Sequence, residues 1–101
     1  MKIAISSVGR DKKAQVSYIS GKAPYYLIFK DMELEKVISN PFRFGGGGAG
    51  VGVAEMLSDE GVELIISGRF GDKMIEALNS RNIKYKELFD LTVREALEKI
   101  K

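Results

Sequence analysis

The sequence predicts a single α/β domain over residues 1–101, with three helices and a mixed five-stranded sheet in the order 3-2-1-4-5. Two patterns predict the class: apolar runs suited to strands occur along the chain, and segments of helical periodicity alternate with them in its second half. A third observation orients the strands. The connection between strands two and three is short enough to force an antiparallel pair, whereas connections that contain a helix suit right-handed parallel crossovers. Strand two is therefore predicted to be the lone antiparallel member.

The first three strands are predicted from short apolar runs. Strand one is "KIAIS", and a long, mostly irregular loop separates it from strand two, "PYYLIFK". The aromatic residues Tyr25, Tyr26 and Phe29 are interpreted as strand packing, because aromatic side chains favour a pleated, half-buried surface. "DMEL" predicts a tight turn, and "EKVIS" continues as strand three. The predicted bounds of these strands are 2–6, 24–30 and 35–39.

The second half of the chain carries recognisable helix ends. Gly61 suits the position just after the end of helix one, and Asp72 is placed to cap the start of helix two. Thr92 and Glu95 form the T-x-x-E capping box of helix three. The predicted helices span 49–61, 72–82 and 91–101, and strands four and five span 62–67 and 83–88.

Composition excludes several classes of function. The chain has no cysteine and no histidine, so it can supply no disulfide, thiolate nucleophile, imidazole base or zinc site of the usual kinds. A net charge of +2 gives no argument for nucleic acid binding, and no apolar run is long enough to cross a membrane. We expect a cytoplasmic protein, because the start of the chain lacks the features of a signal peptide. The scarcity of Asn and Gln beside abundant Lys and Glu favours a thermophilic source.

The predicted topology collects glycine and arginine residues at one edge of the sheet. Strands one, three and four run in the same direction, so the loops that follow them share an edge, and each loop carries one arginine: Arg10, Arg43 and Arg69. Ligands of open α/β sheets bind at this edge. The stretch "GGGGAG" at 45–50 also precedes helix one, where glycine allows backbone N–H groups to surround an anion. A plain surface loop is the alternative interpretation of the same glycines.

Other residues near this edge have two interpretations. Lys12, Lys13 and Lys73 add positive charge to it. Loop residues Tyr18, Phe42 and Phe44 either pack within the domain or have an exposed role, as a pocket wall or an oligomer contact.

Three more specific site types do not match the sequence: a dinucleotide site, a phosphate-binding P-loop and a two-metal nuclease site. Gly45, Gly47 and Gly50 match G-x-G-x-x-G, but they follow the third strand, and the next strand does not end in an acidic residue as a dinucleotide site requires. Gly50 is followed by Val51 rather than by the lysine of a phosphate-binding P-loop. A two-metal nuclease needs carboxylates on its central strands, and "KIAIS" has none.

Six blocks, in order, resemble the dinitrogenase iron–molybdenum cofactor biosynthesis family, and together they span nearly the whole chain. The blocks are "MKIAISSVG", "GKAPYYLIF", "GGGGAGVGVAEML", "GVELIISGRFGDKMIEAL", "NIKYKE" and "TVREALEKI". The resemblance implies a ribonuclease-H-like fold without nuclease activity. In the family, nitrogen-fixation members carry or bind iron–sulfur precursors of the nitrogenase cofactor. This chain is similar to the small single-domain members, whose roles are poorly defined.

The resemblance carries over a limited set of positions. The glycine block of the family matches Gly46, Gly47, Gly48 and Gly50, and its G-x-x-G turn matches Gly68 and Gly71. Asp72 stands where a proline often follows that turn. Some members have a histidine near the glycine block, where this chain has Phe44 and Gly45, so direct metal ligation is in doubt.

The leading hypothesis is a non-catalytic binding protein for an anionic iron–sulfur or iron–molybdenum cluster precursor, held non-covalently. The cofactor-binding residues would be Arg10, Arg43, Gly46, Gly47, Gly48, Gly50, Gly68, Arg69 and Gly71, with Lys73 adding charge. Partners would be metallocluster-biosynthesis or iron–sulfur proteins, without nucleic acid or membrane, and the chain would be a monomer or weak homodimer. The alternatives are an interaction or regulatory module without a cluster, a binding domain for a phosphate-bearing ligand, and, least favoured, an enzyme acting on such a ligand.

Overall fold

The computed structural model describes residues 1–45 and 48–101 and contains five strands and three helices in the predicted order. Its strands are β1 (Lys2–Ser7), β2 (Tyr25–Lys30), β3 (Glu33–Ser39), β4 (Leu64–Ser67) and β5 (Lys84–Glu87). Its helices are α1 (Ala49–Asp59), α2 (Asp72–Ser80) and α3 (Val93–Lys99). Among these residues no helix is long and apolar enough to cross a membrane.

The sheet confirms the predicted order and direction of the strands. The order is β3-β2-β1-β4-β5, with β2 antiparallel to both of its neighbours and β1, β4 and β5 parallel to one another. The carboxyl ends of β1, β3, β4 and β5 therefore share one edge of the sheet. We call this edge, with the loops that leave it (residues 8–24, 40–45 with 48, 68–71 and 88–92) and the first two residues of α2, the C-terminal edge.

The turn between β2 and β3 is tighter than predicted. Instead of "DMEL", only Asp31 and Met32 form the turn, and both have positive φ, at 51° and 71°. Two consecutive left-handed residues match the twist of a hairpin. The chain then enters β3 at Glu33, and a bulge near Ile28 shifts the register. Hence the prediction that strand three starts at residue 35 was wrong by two residues.

The helix ends agree with the sequence at α1 and α3 but not at α2. Gly61 follows the end of α1 with φ +80°, as predicted. The capping box of α3 is complete, with the Glu95 N–H donating to Thr92 Oγ1 and the Thr92 N–H donating to Glu95 Oε1. At α2, Gly71 is the N-cap and Asp72 is the first helical residue, so the expectation that Asp72 caps this helix was wrong. The remaining predicted bounds differ by a few residues at element ends, where fraying is usual.

The sheet is covered on both faces. Helices α1 and α2 pack on one face over Ala4, Tyr26, Ile28 and Ile65. Helix α3 packs on the other, where Val93, Ala96 and Leu97 meet Ile3, Ile5, Leu27, Phe29 and Ile66. Burial of Tyr26 and Phe29 confirms their interpretation as strand packing, and Tyr25 packs on the α3 side.

Two glycines of α1 are explained by close packing. A Cβ atom added at Gly50 would lie 2.7 Å from Cβ of Met74 on α2. One added at Gly52 would lie 2.6 Å from the ring of Phe42. The glycine-rich start of this helix therefore allows α2 and the Phe42 ring to approach its axis. Of the two interpretations of Phe42, packing within the domain and an exposed role, the structure favours packing.

The contact between Gly52 and Phe42 yields a double-mutant prediction. Gly52→Ala should lower the free energy of unfolding by about 1–3 kcal/mol, because the methyl group overlaps the ring. In a Phe42→Ala background the same change should instead raise it by up to about 1 kcal/mol, since alanine is the better helix former. Chemical denaturation of the four proteins tests this, and an equal effect of Gly52→Ala in both backgrounds would rule out the steric explanation.

Candidate functional site

A segment of the β1–β2 loop fills the gap between β1 and β4 at the C-terminal edge. The Ser17 N–H donates to the Ser6 carbonyl at 3.0 Å, and the Gly68 N–H donates to the Ser17 carbonyl at 2.9 Å. Farther along, the Ser20 N–H donates to the Arg69 carbonyl at 3.0 Å. The crevice in which open α/β sheets usually bind ligands is thereby occupied by the chain itself.

Buried hydroxyl groups hold this segment in place. The hydroxyls of Ser6 and Ser67 lie 2.6 Å apart, and each lies 3.2 Å from the Ser17 carbonyl oxygen. A Cβ atom at Gly68 would lie 2.5 Å from the Tyr18 carbonyl oxygen, so only glycine allows this approach. Gly68, expected to bind a cofactor, thus has a structural reason for its identity.

Tyr26 anchors the next turn of the loop. Its side chain is fully buried, its Oη lies 2.7 Å from Ser20 Oγ, and its hydroxyl also donates to the Ser20 carbonyl. Burial raises the pKa of Tyr26, because the phenolate would be desolvated, and the hydrogen bond with Ser20 opposes this shift. The phenol therefore stays protonated and fixes the backbone that leads into Gly21 and Lys22.

A cleft of about 320 Å³ lies between this loop and the first turns of α1 and α2. Gly21 approaches α1 closely, since a Cβ there would lie 3.2 Å from the Gly50 nitrogen. The lining residues are Ile19, Gly21, Lys22, Gly48, Ala49, Gly50, Val51, Gly71, Asp72, Lys73 and Met74. The site is thus displaced from the strand ends toward the helix starts.

Both helices that face the cleft begin without a side-chain cap. The N-cap of α1 is Gly48, with φ 110° and ψ −9°, and the N-cap of α2 is Gly71. Neither glycine has a side chain that could accept a hydrogen bond from the first three N–H groups of its helix, and in the described part of the chain their carbonyls accept only from the N–H groups of Gly52 and Ile75. Helix α3, which lies on the other face of the sheet, has a complete capping box. Among the described residues, the first three N–H groups of each helix have no hydrogen-bond acceptor, so two sets of donors and two positive dipole ends meet at one cleft.

The charged side chains of the cleft are Lys22, Lys73 and Asp72, and the first two give it a net positive charge. Within the described part of the chain, neither lysine forms a salt bridge. The walls between these groups are largely apolar, formed by Ile19, Ala49, Val51 and Met74. The arrangement can hold an anion with hydrogen-bond donors and ammonium groups at its mouth.

The structure brings some of the predicted glycine ligands together. Gly48, Gly50 and Gly71 line the cleft, although Gly50 also packs on α2. Gly46 and Gly47 lie outside the described residues.

None of the three predicted arginines is in the lining of the cleft. Arg10 places its guanidinium 5.3 Å from the ring centre of Tyr25, which packs on the α3 side of the sheet. Arg43 lies 4.7 Å from the ring centre of the exposed Phe44. Arg69 is exposed, and its backbone forms a bridge with Ile19, a lining residue.

Sequence reasoning missed Lys22 as a site residue. It lies in a loop without periodicity, and it is held near the helix starts by contacts with distant segments: the hydrogen bonds of residues 17–20 and those that Asn40 Nδ2 donates to the carbonyls of Gly21 and Ala23.

Tyr18 was expected near the glycine-rich stretch at 45–50. Its ring instead forms an edge-to-face pair with Phe89, with the two ring centres 5.7 Å apart.

The donor set excludes direct coordination by the usual soft ligands. The sequence has no cysteine or histidine. In the parts of the chain that the structure describes, no group of three or more carboxylates, cysteines or histidines is arranged to hold a metal ion.

Comparison with known proteins gives a family and several similar structures. A family model described as dinitrogenase iron–molybdenum cofactor matches residues 1–101. The apo form of the orange protein from Desulfovibrio gigas is 27% identical, with a TM-score of 0.91 over 98% of this chain and 85% of that one. A Thermotoga protein provisionally described as NifB is 29% identical, with a TM-score of 0.84 and the same coverage. No curated protein matches the sequence.

A further structure is similar in fold alone. A protein from Methanocaldococcus jannaschii that is provisionally described as a dinitrogenase is 18% identical, with a TM-score of 0.61 over 99% of this chain and 86% of that one.

The buried phenol of Tyr26 predicts a pH effect on stability. The unfolded chain loses this proton near pH 10, whereas the folded protein retains it, so its contribution is complete below about pH 10 and is lost as the pH rises. Tyr26→Phe should lower the free energy of unfolding at neutral pH by about 1–2 kcal/mol and flatten its fall at high pH. Denaturation from neutral to alkaline pH tests this, with Tyr85→Phe as the control. Ionisation of all four tyrosines together in the folded protein would contradict it.

Proposed function

Because the chain belongs to the dinitrogenase iron–molybdenum cofactor family, we propose that it is a non-catalytic carrier of an anionic iron–sulfur or iron–molybdenum type cluster, or of a related anionic cofactor. The observation that carries the proposal is the pair of uncapped helix starts, Gly48 and Gly71, on one cleft with two lysines.

The electrostatics of the cleft support an anionic cargo. Anions at helix N-termini gain both from free N–H groups and from the helix dipole. Lys22 and Lys73 add charge-assisted hydrogen bonds, which are stronger than neutral ones. Asp72, in the first turn of α2, opposes this attraction. We therefore expect a moderate affinity for the anion that decreases as the salt concentration rises.

The donor set fits a preassembled cluster. Without cysteine or histidine the chain cannot replace the cluster's own ligands, so a cluster would keep its sulfide or thiolate shell. Sulfur and oxygen atoms on that shell can accept hydrogen bonds from the N–H and ammonium groups. The apolar walls suit a large anion with a weakly hydrated surface better than they suit a small, strongly hydrated one.

The residues divide by position in this proposal. Gly48, Gly50 and Gly71 supply backbone next to the cargo, and Lys22 and Lys73 supply charge. Gly46 and Gly47 remain proposed ligands, and Arg43 and Arg69 are proposed to act from the flanking loops. Arg10, on the α3 side of Tyr25, would contribute only through longer-range attraction. A carrier of this kind would exchange cargo with metallocluster-biosynthesis or iron–sulfur proteins in the cytoplasm.

Cluster retention should depend on the two cleft lysines. A preassembled iron–sulfur cluster with thiolate ligands is mixed anaerobically with the protein, and its absorbance is followed through gel filtration. The double variant Lys22→Ala/Lys73→Ala should retain at least about tenfold less cluster than the wild type, because two close charges are lost. Retention by the wild type should also fall at high salt.

Lys30→Ala is the matched control, since Lys30 is an exposed lysine at the opposite end of β2 and should not affect retention. If the wild type elutes without cluster at low salt, the proposed function is wrong. If the double variant and the control behave alike, the cleft is not the binding site.

Capping α2 should separate stability from binding. Gly71 has φ −75° and ψ 157°, which any residue can adopt, and a Cβ there would meet no heavy atom within 4 Å. Gly71→Asp should raise the free energy of unfolding by about 0.5–1 kcal/mol, because the carboxylate caps the helix. The same carboxylate should reduce cluster retention, since it occupies the N–H groups and repels an anion.

Gly71→Ala is the control, because it replaces the glycine without adding a cap or a charge. It is compared with Gly71→Asp by denaturation and by gel filtration. Undiminished retention by the Asp variant would show that the start of α2 takes no part in binding.

A further inference from the structure

Exposed apolar side chains are concentrated at the C-terminal edge. Among the described residues, six large apolar side chains are more than half exposed: Met1, Val8, Tyr18, Ile19, Phe44 and Phe89. All except Met1 lie in loops of this edge, on three separate connections. Exposed apolar surface beside polar residues often marks an interaction site, and these loop side chains all lie at one end of the sheet.

Positive charge is concentrated at the same edge. The edge holds seven of the sixteen basic side chains but only three of the fourteen acidic ones, Asp11, Asp72 and Asp90. The rest of the chain holds nine basic and eleven acidic residues and is net negative. One pole of the molecule is therefore both basic and apolar, and the cleft opens between its loops.

We propose that this pole is a docking face for an acidic iron–sulfur protein that delivers or receives the cargo. The docking face is defined by Val8, Tyr18, Ile19, Phe44 and Phe89 together with the basic residues of the surrounding loops. The choice of partner rests on the proposed function, because cargo exchange requires the donor or acceptor to meet the mouth of the cleft. The partner is expected to be acidic because the docking face is basic. Complementary charges steer the association of two proteins and fix their relative orientation.

The anchors have the chemistry of interface residues. Phe44 is 89% exposed and carries the Arg43 guanidinium on its ring, which combines two residue types enriched at protein interfaces. On the other side of the face, Tyr18 and Phe89 form an edge-to-face pair. Ile19 lies between them and the cleft, since it lines the cleft and is itself 53% exposed.

The surface fits a protein better than a membrane or a second copy of the chain. Membrane-surface binding normally uses one amphipathic helix with a basic polar face, whereas these side chains project from separate loops around a cleft. Self-association through this face would oppose two surfaces of the same charge, which is unfavourable.

The test uses the cluster-free, isotope-labelled chain and a small acidic [2Fe–2S] ferredoxin as the probe. At low salt, addition of ferredoxin should shift or broaden the backbone amide NMR signals of the docking face, and about 0.5 M salt should abolish the effect. Phe44→Ser, Phe89→Ser and Lys13→Glu should each weaken binding by at least about fivefold. Leu34→Ser and Lys99→Glu, which alter an exposed apolar and an exposed basic residue outside these loops, should leave binding unchanged.

Several results would overturn the proposal. They are the absence of binding at low salt, perturbed amides outside the docking face, and equal binding by Lys13→Glu and Lys99→Glu. Sedimentation of the chain with anionic phospholipid vesicles in a Phe44-dependent manner would assign the face to a membrane. A concentration-dependent rise in mass by light scattering that Phe44→Ser removes would assign it to a second copy. Because the chain carries no cluster in this assay, docking can fail while cluster retention succeeds, and the two proposals are tested separately.

Discussion

The arrangement of the C-terminal edge depends on the hydrogen bonds that the Ser17 carbonyl accepts. This carbonyl accepts from the Gly68 N–H and lies within hydrogen-bond distance of two buried hydroxyls, those of Ser6 and Ser67. These bonds seal the gap between β1 and β4 with a segment of loop. The same loop continues to Lys22, whose neighbours Gly21 and Ala23 accept hydrogen bonds from Asn40 Nδ2. The position of the cleft thus follows from the way that one buried loop satisfies its polar groups.

Local signals in the sequence were sufficient for the framework of the fold. The short β2–β3 connection and the helical crossovers indicate the relative directions of the strands, and the order follows once β1 is placed beside β4. The pair Thr92 and Glu95 marks the start of α3. Contacts between distant segments leave no such signal. Nothing periodic in residues 15–22 indicates that they pair with Arg69, and the approach of Gly68 to Tyr18 joins positions fifty residues apart. The sequence therefore predicted which end of the sheet carries the candidate site and part of its lining, but not the residues that the β1–β2 loop contributes.

The glycine run shows why the site itself was harder to predict than the fold. One residue type satisfies different constraints at neighbouring positions. Gly48 adopts a positive φ at an uncapped helix start, Gly50 admits Met74, and Gly52 admits the ring of Phe42. The sequence suggested one explanation for Gly48 and Gly50, access for an anion, and none for Gly52, because the steric partners are remote in the chain. Arg10 was similarly grouped with the other arginines, although it lies over Tyr25 on the α3 side.

The first turns of α1 have a consequence for the motion of the cleft. "AGVGV" is a poor helix-forming sequence, since glycine costs about 1 kcal/mol relative to alanine and valine is also unfavourable. Tertiary contacts with Met74 and Phe42, rather than intrinsic preference, keep this stretch helical. Segments of that kind belong to the least protected part of a native protein, where amide hydrogens exchange through small openings that leave the core intact. One wall of the cleft is thereby free to loosen and re-form while the sheet stays folded.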